Sequence, residues 1–118
     1  MTRITLFLCI VAVTGGLAQL IPGGYTETRK VDRQTRKIVI TVKRDIVSWL
    51  GDKYIRIGEF KPLLYRSQVV AGTNYLVKIS IGYGRYIHVI IYQHFSGNPT
   101  QVTGIQTGKT LADPLETF

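Results

Sequence analysis

Two imidazoles, one thiol and seven carboxylates are the groups of this chain that acid–base, nucleophilic or metal chemistry would use. His88 and His94 lie in and just after a strand-like alternation. Six residues apart on such a pattern they share a side, yet stand about 20 Å apart at ~3.3 Å per residue, too far to share a proton or an ion. His88 is expected to be a half-buried sheet residue, and His94 a loop residue near whatever the loop touches. The carboxylates occur singly along the chain, so neither an acid–base pair nor a ligand cluster at metal spacing is visible. Gly82-Tyr83-Gly84 is too short for a dinucleotide fingerprint and stands before a strand pattern, not a helix. In Asn98-Pro99-Thr100 the central proline blocks a glycosylation acceptor. These residues predict no enzyme: no catalytic group, no metal and no cofactor.

The remaining chemistry is that of contact. Gln68-Val69-Val70-Ala71-Gly72 sets small apolar side chains between two strand patterns. Apolar side chains at a hairpin tip stabilise nothing in the free protein, so their presence at a turn points to a contact surface. The flanking glycine lets backbone approach a partner without a Cβ in the way. A side chain at Gly72 is therefore expected to cost affinity while leaving stability little changed. Periodicity alone equally allows a strand that simply continues through.

The elements that must position this segment follow from hydrophobic period. From Asp32 to Leu50, apolar residues recur at Ile38, Val42, Ile46 and Trp49 or Leu50, the spacing of one helical face, with Asp32 as cap and Gly51 as stop. Against this, Ile38-Val39-Ile40-Thr41-Val42 is a β-branched run that locally prefers strand. Strands are expected over 54–67, 73–81, 85–93 and 102–107, with Pro62 marking an edge or a bulge. In the second of these, Tyr75, Val77, Ile79 and Ile81 take one face, and Asn74, Lys78 and Ser80 the other, as in a half-buried strand. In the third, both faces are apolar and the strand reads as central. The fold class expected is α+β, one helix packed on an antiparallel meander of four to five strands.

Ahead of this domain stands a leader-like segment: Arg3, an apolar run from Ile4 to Val13, and small residues ending at Ala18. It reads as a secretory signal peptide over 1–18, cleaved between Ala18 and Gln19, leaving a domain over 19–118. The run is too short for the ~20 residues of a membrane-spanning helix. Cys9 falls within it, so the exported domain carries no cysteine and no disulfide framework. Leu20-Ile21-Pro22-Gly23-Gly24 then forms an arm broken by Pro-Gly-Gly. The formal charge of +8 favours acidic partners. Arg29, Lys30, Arg33, Arg36, Lys37, Lys43 and Arg44 crowd one short segment, which reads as the solvated face of a helix and not as a nucleic-acid site.

Gln68-Val69-Val70-Ala71-Gly72-Thr73-Asn74-Tyr75 resembles the Gln-x-Val-x-Gly signature of the cystatin superfamily in the longer form found in stefins. The arm Ile21-Pro22-Gly23-Gly24 is similar to a stefin amino terminus, and Leu115-Glu116-Thr117-Phe118 to a stefin ending. The resemblance covers the whole of 19–118. It implies a reversible, tight-binding competitive inhibitor of papain-like cysteine proteases such as cathepsins L and B and papain. The inhibitor would act by a three-part wedge: Leu20, Ile21, Gly23 and Gly24 in the arm, Gln68, Val69, Val70, Ala71 and Gly72 in the first hairpin, and Phe95, Ser96, Gly97 and Asn98 in the second. Where stefins often have Leu-Pro in that second hairpin, this chain has Phe-Ser. Stefins are usually cytosolic, and secreted cystatins usually carry two disulfides, so this chain joins a stefin body to a secretory address. A monomer is expected, with exchange of the helix and first strand between two copies as the alternative assembly of this fold type. The competing reading keeps the fold and gives the work to the cationic helix, as a secreted module with weak affinity for anionic glycans or membranes.

Overall fold

The computed structural model of the protein describes residues 24–118. The leader read over 1–18, and the arm residues Leu20, Ile21 and Gly23, lie outside them. The elements run β1 (Arg29–Lys30), α1 (Arg33–Thr41), α2 (Lys43–Asp52), β2 (Lys61–Val70), β3 (Gly72–Gly82), β4 (Arg85–Gln93) and β5 (Thr100–Lys109). The strands form one antiparallel sheet in the order β1-β2-β3-β4-β5.

Asp32 caps the first helix as its position suggests, accepting a 2.7 Å hydrogen bond from the Thr35 backbone N–H and a 3.0 Å bond from the Tyr65 hydroxyl. The Thr35 N–H, the largest influence, holds the Asp32 carboxyl below its usual range. One uninterrupted helix was expected, but the helix breaks at Val42 (φ −106°, ψ 9°). The break ends the β-branched run: these side chains crowd the preceding turn, and the Thr41 hydroxyl bonds back to the Lys37 carbonyl at 2.9 Å. Val42 bonds to Val39 at 3.1 Å, a tightened turn, and Ile46 bonds to Val42 at 3.1 Å as α2 resumes. Gly51 is not the stop. Tyr54 takes the left-handed conformation at φ 59°, with Ile55 N–H on the Leu50 carbonyl and Tyr54 N–H on the Gly51 carbonyl, both at 2.9 Å. That pair of bonds is a Schellman closure built on tyrosine where glycine is usual.

The first long strand begins at Lys61, not at 54, and its register shifts between Pro62 and Leu64. Here the proline marks a bulge, as expected. The short β1, with no hydrophobic pattern to announce it, pairs Arg29 with Tyr65 and Lys30 with Leu64. The core lies between helices and sheet, where Val39, Val42, Ile46 and Leu50 meet Val77, Ile79, Ile87, Val89 and Ile91, all at 1% exposure or less.

The opposite face of the sheet is not open to water at Lys78, contrary to the half-buried pattern read from β3. Lys78 is 1% exposed, and its ammonium donates to the carbonyls of Thr110 (3.0 Å), Leu111 (2.6 Å) and Asp113 (2.6 Å). The segment after β5 thus crosses this face, pinned again where Arg66 Nη1 donates to the Leu115 carbonyl at 2.6 Å. His88, opposite Lys78 in the register, is fully buried and not half-buried, with no hydrogen-bond partner at either ring nitrogen. Burial first, then the cations Lys78 and Lys109, push its pKa down to about 4.

Candidate protease-binding edge

Antiparallel pairing decides which loops share an end of the sheet. Val70 pairs with Gly72 across the β2–β3 turn, and Thr73 pairs with Gln93 at the end of β4, whose next partner is Thr100 of β5. The β2–β3 and β4–β5 connections therefore stand side by side. The incoming chain joins them, since Tyr25 bridges Gln68 and the Thr26 N–H bonds the Ser67 carbonyl at 2.8 Å. Arg66 donates from Nε to the Thr26 carbonyl at 2.8 Å, its guanidinium 5.6 Å from the Tyr25 ring centroid. Burial raises the Tyr25 phenol above its usual value. Gly24, exposed, thus emerges beside the first hairpin, which brings the described end of the arm and both loops onto one edge.

The first hairpin reaches its tip with Ala71 alone between the two strands. Val69 is 66% exposed and Val70 36%, although both belong to a strand. The Asn74 amide donates to Gln68 Oε1 at 2.8 Å below the tip, and the Tyr92 hydroxyl of β4 bonds the Ala71 carbonyl at the tip itself. Gly72 is required by this packing: it sits at φ +125°, and a Cβ there would lie 2.4 Å from the Gln93 carbonyl oxygen and 2.8 Å from the Tyr92 hydroxyl. The expectation that a side chain at Gly72 would leave stability little changed is corrected accordingly.

The second hairpin is longer and polar inside. Ser96 Oγ lies 2.8 Å from His94 Nδ1 and donates to the Asn98 carbonyl at 2.9 Å, while the Ser96 N–H bonds the same imidazole nitrogen at 3.2 Å. His94 N–H bonds the Pro99 carbonyl at 3.0 Å and Gly97 N–H the His94 carbonyl at 2.8 Å, closing the loop. Phe95, 78% exposed, has its ring centroid 4.1 Å from that of His94. Serine and histidine thus supply by hydrogen bonding the stiffness that a proline would supply covalently. Residue typing alone did not find Tyr92 or His94 as holders of the tips, because alternation cannot show that a hydroxyl reaches a carbonyl across a turn.

No Asp, Glu, Lys or Arg lies in 68–72 or 94–99, and the exposed side chains there are Val69, Val70, Ala71 and Phe95 with small polar neighbours. Such an edge presents apolar tips on rigid stems, the form of a contact surface. Among the described residues, no group of three or more His, Cys, Asp or Glu side chains comes close enough to hold a metal ion.

Comparison with known proteins identifies this architecture. Mouse cystatin-A is 38% identical over 100 residues, covering 84% of this chain and 100% of the relative. The chain belongs to the stefin family of cystatins. Pig leukocyte cysteine proteinase inhibitor 1 is 33% identical over 102 residues, covering 85% of this chain and 96% of the relative. Mouse stefin-2 is 33% identical over 99 residues, covering 83% of this chain and 93% of the relative. No family model matches the chain. Like these relatives the chain is not an enzyme, and the edge displays the family signature residues Gln68 to Gly72.

Proposed function

We propose that this stefin is a reversible, competitive inhibitor of papain-like cysteine proteases of the cathepsin L, cathepsin B and papain type. Its wedge consists of the arm residues Leu20, Ile21, Gly23 and Gly24, the hairpin Gln68 to Gly72, and the hairpin Phe95, Ser96, Gly97 and Asn98. The observation that carries the reading is that two exposed apolar tips, Val69-Val70 and Phe95, stand side by side on one edge, the first tied to β4 by the Tyr92 hydroxyl and the second braced by bonds within its loop. An edge ordered before binding loses little entropy on docking, so burial is converted to affinity efficiently. Nanomolar binding needs about 12 kcal/mol, within reach of a standard interface of ~1,600 Å² with a few central anchors. The name of the pig relative, a cysteine proteinase inhibitor, supports the same class of target.

The chain is proposed to act as a monomer after export and removal of the leader at Ala18. The full-length match to mouse cystatin-A leaves outside it a share of this chain comparable to that leader. Titration of active papain and cathepsin L with the protein beginning at Gln19 is expected to give one-to-one, substrate-competitive inhibition. Absence of inhibition at micromolar concentration, or cleavage within 68–72, would reject the wedge. Amino-terminal sequencing of protein from culture medium tests export, and recovery of an intact Met1 there would reject it.

A further inference from the structure

The outward face of the two helices carries charge that neither the core nor the wedge uses. Arg33, Arg36, Lys37, Lys43 and Arg44 are all exposed, while Ile38, Val39, Val42, Ile46 and Leu50 of the same helices are turned into the core. At 3.6 residues per turn the five cations fall on one stripe, about 16 Å long at 1.5 Å per residue. The helix breaks at Val42, but α2 starts at once, its Ile46 N–H on the Val42 carbonyl at 3.1 Å, so the cations of both segments follow one another along the outward side. Only two acids lie between 32 and 50. Both oxygens of Asp32 are engaged, by the Thr35 N–H and the Tyr65 hydroxyl, which leaves Asp45 as the carboxylate beside the stripe.

The stripe has relief as well as charge. An open groove of about 610 Å³ runs along Ile40, Thr41, Lys43, Arg44, Asp45 and Val47. A second of about 500 Å³ shares Thr41 and continues past Lys37 and Arg33. Ile40, 52% exposed, lies between the cations. Guanidinium groups grip sulfate oxygens in pairs, ammonium groups neutralise them, and an isolated apolar side chain accepts the C–H face of a sugar ring.

We infer that this helical stripe binds a linear sulfated polysaccharide. A membrane surface fits less well, because insertion needs an apolar helix face, and here that face is buried against the sheet with Ile40 the one large aliphatic left strongly exposed on α1 and α2. Nucleic acid fits less well too, because the aromatic rings near the cations, Phe60 with the Lys43 ammonium 5.2 Å from its centroid and Trp49, are partly buried and packed against the core instead of standing free to stack a base. The site shares no residue with the proposed wedge, so it stands or falls independently of protease inhibition.

Heparin binding of the whole chain, measured against salt concentration, is the test. Binding is expected at 0.15 M salt and to weaken steeply as salt is added. The variant R36Q/K37Q/K43Q/R44Q is expected to lose at least tenfold in affinity, and R29Q/K30Q/K53Q/K61Q, which removes the same charge elsewhere, less than threefold. Both should keep the parent thermal midpoint. Equal losses in the two variants would reduce the effect to net charge and overturn the site. So would unchanged binding by the stripe variant. Phosphatidylserine vesicles or duplex DNA that bind as tightly as heparin at equal salt would overturn the choice of partner.

Discussion

The two hairpins of the proposed protease-binding edge reach rigidity by different means. The first is rigid because there is no room: one residue at the tip, a glycine at φ +125° pressed on the Gln93 carbonyl, and a tyrosine hydroxyl tying the turn to β4. The second is rigid because of polar bonds: a histidine and a serine hold a loop with space around its glycine, for nothing lies within 4 Å of a Cβ at Gly97. Steric constraint tolerates no substitution, whereas a hydrogen-bonded loop can change residue by residue. On the proposed mode of binding, substitutions in the first hairpin are expected to act on whether the edge docks, and those in the second on how fast the complex dissociates.

The largest effect expected on that comparison comes from charge at the first tip. Val69→Asp places a carboxylate where an apolar side chain, 66% exposed in the free protein, would be desolvated by a protease cleft. The loss should be about 3–5 kcal/mol, more than a hundredfold in the inhibition constant, with the melting temperature unchanged. Inhibition by this variant within threefold of the parent would remove Val69 from the contact.

Next in size is a test of what both hairpins hang from. Both tips are anchored on β4, and β4 carries the buried His88 beside Lys78, with Lys109 and Asp113 also acting on it. The folded state keeps His88 neutral down to about 4, whereas the unfolded chain takes up a proton near 6.5. Between those values the unfolded state binds more protons, so stability rises with pH. The contribution is complete above about 6.5 and is lost as pH falls toward 4, a span worth about 3 kcal/mol. Urea midpoints at pH 7 and pH 4.5 should therefore differ more for the parent than for His88→Leu. Equal differences would show that other groups carry the acid sensitivity.

The glycines sharpen the contrast directly. Gly72→Ala meets both a positive φ and a carbonyl at 2.4 Å, and should cost about 2–3 kcal/mol of stability. Gly97→Ala meets only the φ of +95° in open space, and should cost about 1 kcal/mol. Thermal or urea unfolding decides the matter, and equal costs would mean that the first hairpin relaxes freely.

The strand periods, the Asp32 cap and the bulge at Pro62 were legible in the sequence because each follows from local chemistry: alternation, a side-chain acceptor, a missing N–H. The break at Val42 was legible only as a conflict, a strand-preferring run inside a helical face, whose resolution depended on core contacts made by Ile38 and Val39. The covering of Lys78 and His88 was not legible. It depends on the segment after β5, whose apolar residues Leu111, Leu115 and Phe118 show no period, and on main-chain carbonyls that every residue has. Of the edge, Gln68 to Gly72 stood out by its resemblance to a family signature, its residue types alone leaving a continuing strand equally open, whereas Tyr92 and His94 act through distances that no spacing rule expresses.

The smallest effect expected concerns Ser96, which touches no core residue and whose value lies in what it holds. Its hydroxyl donates to the Asn98 carbonyl, so Ser96→Ala removes that bond inside an exposed loop while Ser96 N–H to His94 Nδ1, His94 N–H to Pro99 and Gly97 N–H to His94 remain. Folding stability should change by less than about 0.5 kcal/mol, the range of surface substitutions. The bound state must then order a looser loop, at about 0.5–1 kcal/mol, a threefold to fivefold weakening seen mainly in dissociation. If Ser96 acts by holding Phe95 in place, Phe95→Ala should cost more, about 1.5–2.5 kcal/mol for removing a large apolar anchor. The double variant should then be no worse than Phe95→Ala alone, because a loop without its anchor gains nothing from being stiff. Dissociation rates for the two single variants and the double variant form a complete cycle. Additive losses would show that Ser96 meets the protease itself, and the second hairpin would then be a second contact patch rather than a mount for one aromatic ring.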